Sequence, residues 1–142
     1  MQTAHSNEIL RFFLPIKPPT KTAQQKRWKC VNGKPICYQS KELKEAYMLL
    51  RDGVALFKPK EKINDSIHLL TQWRFPADKR HPAGSWRKTK PDTDNLQKML
   101  KDVMTEAGFW EDDCLVVSET IQKFYADKPG IYIVIAKATD KI

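Results

Sequence analysis

The sequence holds little cysteine, little glycine and no long apolar run, and each shortage excludes a class of protein. Its three cysteines, Cys30, Cys37 and Cys114, are an odd number, which argues against a disulfide framework, and we expect them to be small buried side chains. Its five glycines form no phosphate-binding fingerprint, which argues against a phosphotransferase or phosphatase that binds phosphate in a glycine loop. No apolar run approaches the roughly 20 residues that a membrane-spanning helix needs. The polar residues 1–8 also lack the apolar segment of a signal peptide, so we expect a cytoplasmic protein with no membrane partner.

Positive charge is what the sequence has in excess. Lysine and arginine total 25 against 17 acidic residues, which gives a net charge of +8 and a pI near 9.4. This surplus suits a polyanionic partner, such as nucleic acid or a membrane surface, and says nothing about the fold. The length of 142 residues suits one domain, 1–142, that can bury a core without disulfides or a structural metal.

The first half of the chain predicts two strands, a hairpin and a helix. The dipeptide Asn32-Gly33 tolerates positive φ in a type I′ turn, and Pro35 restricts its hairpin to a sheet edge. Ser40 can cap a helix whose apolar residues recur at helical spacing. The predicted elements are a strand at residues 8–14, a hairpin at 28–39, a helix from 40 to about 57 and a strand at 66–75.

The second half predicts a basic irregular segment, a helix and two strands. Residues 76–90 contain Pro76, Pro82 and Gly84, which disfavour both helix and strand. Gly108 can follow the helix as its left-handed C-terminal residue. The predicted elements are a helix at about 94–107 and strands at about 114–125 and 131–138, which are joined by a turn at 127–130. The chain is therefore expected to be an α+β domain, a small mixed or antiparallel sheet with two main helices packed on it.

Two carboxylates stand two residues apart where the basic segment enters the second helix. Asp92 and Asp94 can point the same way if the chain is still extended there, and paired carboxylates bind hard cations such as Mg²⁺ or Mn²⁺. Lys98, four residues after Asp94 on the same helix face, can stabilise charge on a phosphoryl group or position the attacking water. Because a metal-bound water is a far stronger acid than bulk water, this combination suits phosphodiester hydrolysis.

The same acids also have a purely structural interpretation. An aspartate at a helix N-terminus commonly caps the helix and is stabilised by the helix dipole. Asp94 and Lys98 can form an ordinary surface ion pair. Asp112 and Asp113, taken alone, are a polar turn, and the aromatic pair at 109–110 is more typical of a core than of a wedge in a substrate.

The basic segment before Asp92 is the natural DNA contact. Its charges can neutralise phosphates, whose counterions are then released. The alternative is a solvated loop whose charges serve solubility. Trp86 can stack on an unpaired base or anchor the segment on the core, and we favour the anchor. The predicted DNA-binding residues are Lys79, Arg80, Arg87, Lys88 and Lys90.

The segments DTDNLQK at residues 92–98 and AGFWEDD at 107–113, followed by two valines, resemble the core of the RusA family of Holliday-junction resolvases. The Leu-Pro at 14–15 and the Pro-Pro-Thr at 18–20 are similar to the start of that family. The likeness spans essentially the whole chain and is strongest in the first two segments, which are specific together and not singly.

The resemblance implies a homodimeric, Mg²⁺-dependent endonuclease of recombination and repair that cuts four-way DNA junctions in symmetric strands and uses no small-molecule cofactor. The residues that it gives catalytic roles are Asp92, Asp94, Lys98 and Asp113, of which the three aspartates bind the metal. Two departures from the family pattern stand out. Thr93 lies where an aliphatic residue is common, which should be harmless, whereas an asparagine expected at residues 21–22 is missing, which puts the role of the basic loop at 20–27 in doubt.

The spacing raises a geometric problem for the third aspartate. Asp92 and Asp94, the acid pair, lie at the start of the second helix. A helix from Asp94 to Ala107 is about 20 Å long, so Asp113 lies near its opposite end. Either the chain runs back along the helix after Ala107, or Asp113 reaches the pair from a second protomer. Two other functions stay open: a non-catalytic basic module that binds nucleic acid, and a phosphotransferase or phosphatase with an Asp-x-Asp site, which usually needs a larger scaffold.

Overall fold

The computed structural model describes residues 7–22, 27–38 and 40–141 of the chain, and these form an α+β domain, as the sequence predicts. Its helices and strands agree with the predicted ones to within about two residues at most ends. The elements are β1 (Glu8–Leu14), β2 (Arg27–Val31), β3 (Lys34–Tyr38), α1 (Lys41–Ala55), β4 (Ile67–Pro76), α2 (Thr93–Ala107), a 3₁₀ turn (Asp113–Leu115), β5 (Val116–Ala126) and β6 (Gly130–Lys137).

Four of the strands form a mixed sheet in the order β1-β6-β4-β5, so β5 is an edge strand. Strand β5 is parallel to β4, and the other neighbours are antiparallel. The parallel pairing follows from the chain path, because α2 crosses over the sheet between β4 and β5. The close approach of β1 to the start of β6 requires glycine at residue 130, because a Cβ atom there would lie 2.6 Å from the carbonyl oxygen of Leu14.

Strands β2 and β3 form a separate two-stranded sheet. Asn32 and Gly33 have φ values of 52° and 75°, which confirms the predicted type I′ turn. Because this hairpin forms its own small sheet, Cys30 is exposed, so the expectation that the cysteines are buried is wrong there. The predicted end of the hairpin at Gln39 and the side chain of Cys37 lie outside the described part of the structure.

The core lies between one face of the four-stranded sheet and the two helices. Every second residue of β4 is buried in this core, and so is the apolar stripe along the length of α2. The predicted core role of Phe109 and Trp110 is confirmed, since both are fully buried. The largest fully buried side chains are Trp73, Trp110, Phe75, Phe109, Leu14, Leu43, Leu50, Ile67, Leu69, Leu96, Leu100 and Met104.

Helix α1 begins as predicted and ends two residues early. The hydroxyl group of Ser40 accepts a hydrogen bond of 3.2 Å from the backbone N–H of Leu43, which is the expected N-cap. After Ala55 the helix ends in a turn whose hydrogen bonds join residues three apart, such as the one of 3.0 Å from the Phe57 N–H to the Val54 carbonyl. The ring of Phe57 instead stacks on Phe12 of β1 at a centroid distance of 4.7 Å.

A polar contact joins the two helices. The hydroxyl group of Tyr47 on α1 donates a hydrogen bond of 2.5 Å to the carboxylate of Glu106 on α2. Burial and this hydrogen bond together raise the pKa of Tyr47 to about 12.

In the described part of the chain, neither helix combines the length and apolar character that crossing a membrane would require.

Candidate active site

The acid pair lies at the start of α2 with both carboxylates exposed. The helix begins at Thr93, one residue earlier than expected, so Asp92 takes the N-cap position with an extended backbone (φ −71°, ψ 151°). Its side chain nevertheless makes no capping hydrogen bond. The structural interpretation of Asp92 as a cap therefore loses its main support, and the carboxylate stays free for another ligand.

A buried hydrogen-bond chain fixes the rotation of α2 about its axis. The carboxamide of Gln97 accepts a bond of 2.7 Å from the hydroxyl group of Thr71, which in turn accepts one of 3.1 Å from the indole N–H of Trp73. Asp94 and Lys98 on the same helix are exposed to solvent. Sequence reasoning gave Gln97 no role, since a glutamine next to an apolar stripe looks like a surface residue.

Lys98 lies on the exposed face of α2, and its ion pair runs forward along the helix. Its ammonium group is 3.6 Å from a carboxylate oxygen of Asp102, with the side chain 63% exposed. The surface ion pair that the sequence suggests for Lys98 thus forms with Asp102 and not with Asp94. An exposed pair of this kind is weak enough to yield to a phosphate.

The backbone that leads into the acid pair is held by two cations. Lys123 of β5 donates hydrogen bonds of 2.6 Å and 2.7 Å to the carbonyl oxygens of Thr89 and Pro91. Arg87 donates two, of 3.1 Å and 2.7 Å, to the carbonyl oxygen of Lys90. Three successive carbonyl groups are therefore fixed directly before Asp92.

Lys123 was missed by sequence reasoning, because the segments it joins are more than thirty residues apart. Its half-buried ammonium group loses hydration, which lowers its pKa; the neighbouring Arg87 lowers it further, and Asp92 opposes the shift. The hydrogen bond to the Pro91 carbonyl places the charge of Lys123 next to the residue that precedes Asp92. The available signal in the sequence was a lysine placed inside a strand next to aromatic residues.

The basic segment is ordered along the edge of β5 and is not a free loop. Backbone hydrogen bonds join Gly84 and Ser85 to Tyr125 at 2.8 Å and 2.9 Å, and Arg87 to Lys123 at 3.1 Å. This segment covers one end of β5, which the irregular composition of residues 76–90 did not predict.

The start of the segment is a turn built by Asp78. Its carboxylate accepts backbone hydrogen bonds of 2.9 Å and 2.8 Å from Arg80 and His81. Desolvation works against ionisation of Asp78, but these bonds, with the imidazole of His81, outweigh it and lower the pKa of the carboxyl group. The ring of His81 stacks on Tyr125 at a centroid distance of 4.4 Å, which attaches the turn to β5.

The structure separates the predicted DNA-binding residues into two kinds. Lys79, Arg80, Lys88 and Lys90 are exposed and available to a phosphate backbone. Arg87 is half-buried, and its guanidinium group lies 4.2 Å from the centre of the Phe75 ring. Its contacts are those of a structural residue.

Trp86 does not anchor the segment in the core as we expected. Its side chain is 63% exposed and meets Phe124 only edge-on, at a centroid distance of 6.1 Å. The segment is anchored instead by Arg87, whose guanidinium group packs on the ring of the buried Phe75. The indole is left with an open face.

The second acidic pair lies before β5. The carboxylate of Asp112 accepts a hydrogen bond of 2.9 Å from the backbone N–H of Cys114 and so caps the 3₁₀ turn, which lowers the pKa of Asp112. Asp113, half-buried, is the first residue of that turn.

Cys114 is exposed because it belongs to this turn and not to the strand, so its predicted burial is wrong. Desolvation and the carboxylate of Asp112 raise the pKa of its thiol, which keeps it poorly reactive.

The two acidic pairs lie at opposite ends of α2 within one chain. An ion pair of 3.1 Å between Lys101 and Glu119, together with the contact of Lys123 to Pro91, shows that β5 runs antiparallel to α2. Asp113 precedes β5 and is thus about 20 Å or more from Asp92, by the rise of the intervening helix. Among residues 7–22, 27–38 and 40–141, no three metal-binding side chains come together as a cluster.

Comparison with known proteins first defines the class, which is that of the endodeoxyribonucleases. The family model described as Endodeoxyribonuclease RusA matches residues 15–136. The chain therefore belongs to the RusA family.

Two curated relatives carry the same description. The chain is 31% identical over 123 residues to the crossover junction endodeoxyribonuclease rusA of Lactococcus phage r1t, a match that covers 85% of this chain and 92% of the relative. It is 51% identical over 39 residues to the crossover junction endodeoxyribonuclease RusA of Escherichia coli O139:H28 (strain E24377A / ETEC), which covers 28% of this chain and 32% of the relative. The resemblance, the fold class and the enzyme class predicted from the sequence are confirmed.

Proposed function

We propose that this protein is a Mg²⁺-dependent endonuclease that resolves Holliday junctions by hydrolysing phosphodiester bonds in symmetric strands, during DNA recombination and repair. Two observations carry the proposal: the chain belongs to the RusA family, and the carboxylate of Asp92 is available to bind a ligand. This carboxylate stands at a helix start, exposed and without a capping bond, directly after a segment rich in exposed cations. We propose a cytoplasmic protein that acts on branched DNA.

The donor set fits a hard divalent cation. Asp92, Asp94 and Asp113 offer only carboxylate oxygens, which suits Mg²⁺ and, as a substitute, Mn²⁺. The bound ion would supply a hydroxide near neutral pH and neutralise charge on the phosphate. Lys98, on the same exposed face as Asp94, would stabilise the negative charge that develops on the phosphoryl oxygens.

The exposed cations of the basic segment would hold the DNA backbone. The segment lies along β5 and ends at the acid pair, so a phosphate bound there is next to the proposed metal site. Binding would be steered by charge and weakened by salt. The residues proposed for this role are Lys79, Arg80, Lys88 and Lys90.

We further propose that the protein acts as a homodimer and that Asp113 completes the site of its partner. The separation of Asp113 from Asp92 along α2 supports this version over a site within one chain. In a dimer with a twofold axis across the middle of α2 or β5, the end carrying Asp113 in one protomer meets the end carrying Asp92 in the other.

Mixed protomers test the shared site. Asp92→Asn and Asp113→Asn proteins should each be inactive on a synthetic four-way junction. After subunit exchange, a heterodimer holds one intact site and one doubly substituted site, so single-strand nicks should reappear without paired cuts. If the mixture stays as inactive as its parts, although exchange is demonstrated with tagged protomers, the shared site is ruled out.

The second candidate is a non-catalytic module that binds nucleic acid through the same cations. It is favoured by the absence of a three-carboxylate cluster within the described part of a single chain. Junction binding with no nicking in Mg²⁺ or Mn²⁺, and with no effect of Asp92→Asn, would support the module and exclude the nuclease.

A further inference from the structure

We propose that Lys123 is a positioning residue for the metal-binding acids, which it controls through the backbone that precedes Asp92. The proposal rests on the proposed metal site. It concerns a residue on β5, about thirty positions away in sequence from the carboxylates on which it would act.

The hydrogen bonds of Lys123 are directed at the backbone. Its ammonium group donates bonds of 2.6 Å to the carbonyl oxygen of Thr89 and 2.7 Å to that of Pro91. Two of its three N–H groups are therefore used. Bonds from a charged donor are among the stronger ones in a protein, so this backbone is held firmly.

Lys123 differs in this respect from the exposed lysines nearby. It is half-buried, whereas Lys88 and Lys90 are exposed. Since its ammonium group is already bonded to the carbonyl oxygens of Thr89 and Pro91, Lys123 is poorly placed to bind a phosphate. Its role is thus to hold the protein and not the DNA.

The two aspartates depend on Lys123 to different degrees. Asp94 lies inside α2, where the helix and the buried hydrogen bond of Gln97 fix its backbone. Asp92 lies at the N-cap, where its carbonyl oxygen accepts a hydrogen bond of 3.1 Å from the Leu96 N–H, but its side chain makes no capping bond. The direction of its carboxylate therefore depends also on the backbone on its other side, at Pro91.

The consequence is that Lys123 sets the spacing of the two carboxylates. Mg²⁺ demands near-ideal octahedral geometry, and a binding site tolerates shifts of only about 0.5 Å. If Lys123 is removed, Thr89 and Pro91 lose their donors and the Asp92 carboxylate moves relative to that of Asp94. Metal affinity should fall while α2 keeps its place. Lys88 and Lys90 should still reach DNA, because Arg87 continues to hold the Lys90 carbonyl and their long side chains tolerate a small backbone shift.

The test replaces Lys123 by methionine, which keeps a similar chain length and removes the donors. The matched control is Lys44→Met, which makes the same change of charge at an exposed position on α1. Mn²⁺ binding to each purified protein is measured by electron paramagnetic resonance, and the Mg²⁺ dependence of junction cleavage is measured beside it. Lys123→Met should weaken Mn²⁺ binding and raise the half-saturating Mg²⁺ concentration by about 10- to 100-fold, the usual effect of losing a residue that orients a metal ligand.

Three further readouts separate positioning from other roles. Saturating Mg²⁺ should restore most of kcat in Lys123→Met, junction binding in EDTA should stay near the control value, and Lys123→Arg should recover part of the metal affinity. Metal affinity equal to that of Lys44→Met would overturn the proposal. A loss of junction binding in EDTA as large as the loss of metal affinity would overturn it too, because Lys123 would then bind a phosphate itself.

Two provisions keep the test decisive. Lys123→Ala, which also removes the donors and leaves room for water, gives the same comparison if Lys123→Met does not fold. If the unsubstituted protein binds Mn²⁺ but cleaves no junction, the proposed function fails while the binding measurement still decides the role of Lys123.

Discussion

The carboxamide of Gln97 on α2 accepts a hydrogen bond of 2.7 Å from the hydroxyl group of Thr71 on β4, and both side chains are buried. Thr71 also accepts a bond from the indole of Trp73. This contact ties the helix that carries the acid pair to the central part of the sheet. The rotation of α2 about its axis is thus held in part by a polar contact inside an apolar core.

Thr71→Val should destabilise the protein by about 1–3 kcal/mol, because a buried carboxamide and a buried indole N–H then lack their partner. Urea unfolding of Thr71→Val beside Thr139→Val, which makes the same change at an exposed position, measures the difference. Equal stabilities for the two variants would mean that the buried hydrogen bonds do not hold the helix in place.

The two helix starts should respond differently to loss of the capping residue. Ser40→Ala removes a capping hydrogen bond and should cost about 1 kcal/mol. Asp92→Ala removes a side chain with no such bond and should cost less than half as much, through the helix dipole and the nearby charge of Lys123. Both are measured by chemical denaturation without divalent ions. A cost for Asp92→Ala equal to that for Ser40→Ala would show that Asp92 serves as a cap in solution.

The basic segment should contribute to DNA binding through its exposed lysines and not through Arg87. Replacing Lys88 and Lys90 by alanine should weaken junction binding and reduce the slope of log affinity against log salt by about 0.9 for each phosphate that is no longer neutralised. Arg87→Ala should lower stability and leave the slope nearly unchanged, because its guanidinium group is engaged with Phe75 and the Lys90 carbonyl. A slope that falls only in Arg87→Ala would reverse this assignment.

Trp86 should matter for branched DNA and hardly at all for folding. Its side chain is 63% exposed, so Trp86→Ala should change the free energy of unfolding little. If the open face of the indole stacks on an unpaired base, the same change should weaken junction binding by about 1–3 kcal/mol. Equal affinities of Trp86→Ala and the unsubstituted protein for the junction would remove the ring from the interface.

The local patterns of the sequence predict most of this fold. The apolar stripe of α2 with Gly108 behind it, the turn at Asn32-Gly33 and the cap at Ser40 are all short-range signals, and the structure confirms them. The acid pair is visible for the same reason, since Asp92 and Asp94 are neighbours.

What the sequence does not predict depends on contacts between distant segments. In the sequence, Arg87 is one of several charges in a basic segment. Only the folded structure shows that its guanidinium group packs on the ring of Phe75. Lys123 has no distinguishing pattern, because the carbonyl groups that it binds come from a segment that reaches β5 only in the folded chain. Gln97 is buried by the way the helix packs, and composition gives no sign of it.

Cleavage of a synthetic four-way junction by the unsubstituted protein and by Asp94→Asn tests the central claim most directly. In Mg²⁺ the unsubstituted protein should make paired cuts in opposite strands, and Asp94→Asn should lose at least about 10²-fold in rate, the scale for removing one group that stabilises the transition state. Binding in EDTA should persist in both proteins, because the exposed cations are unchanged. Equal cleavage by the two proteins, or binding without any cleavage by the unsubstituted one, would contradict the account.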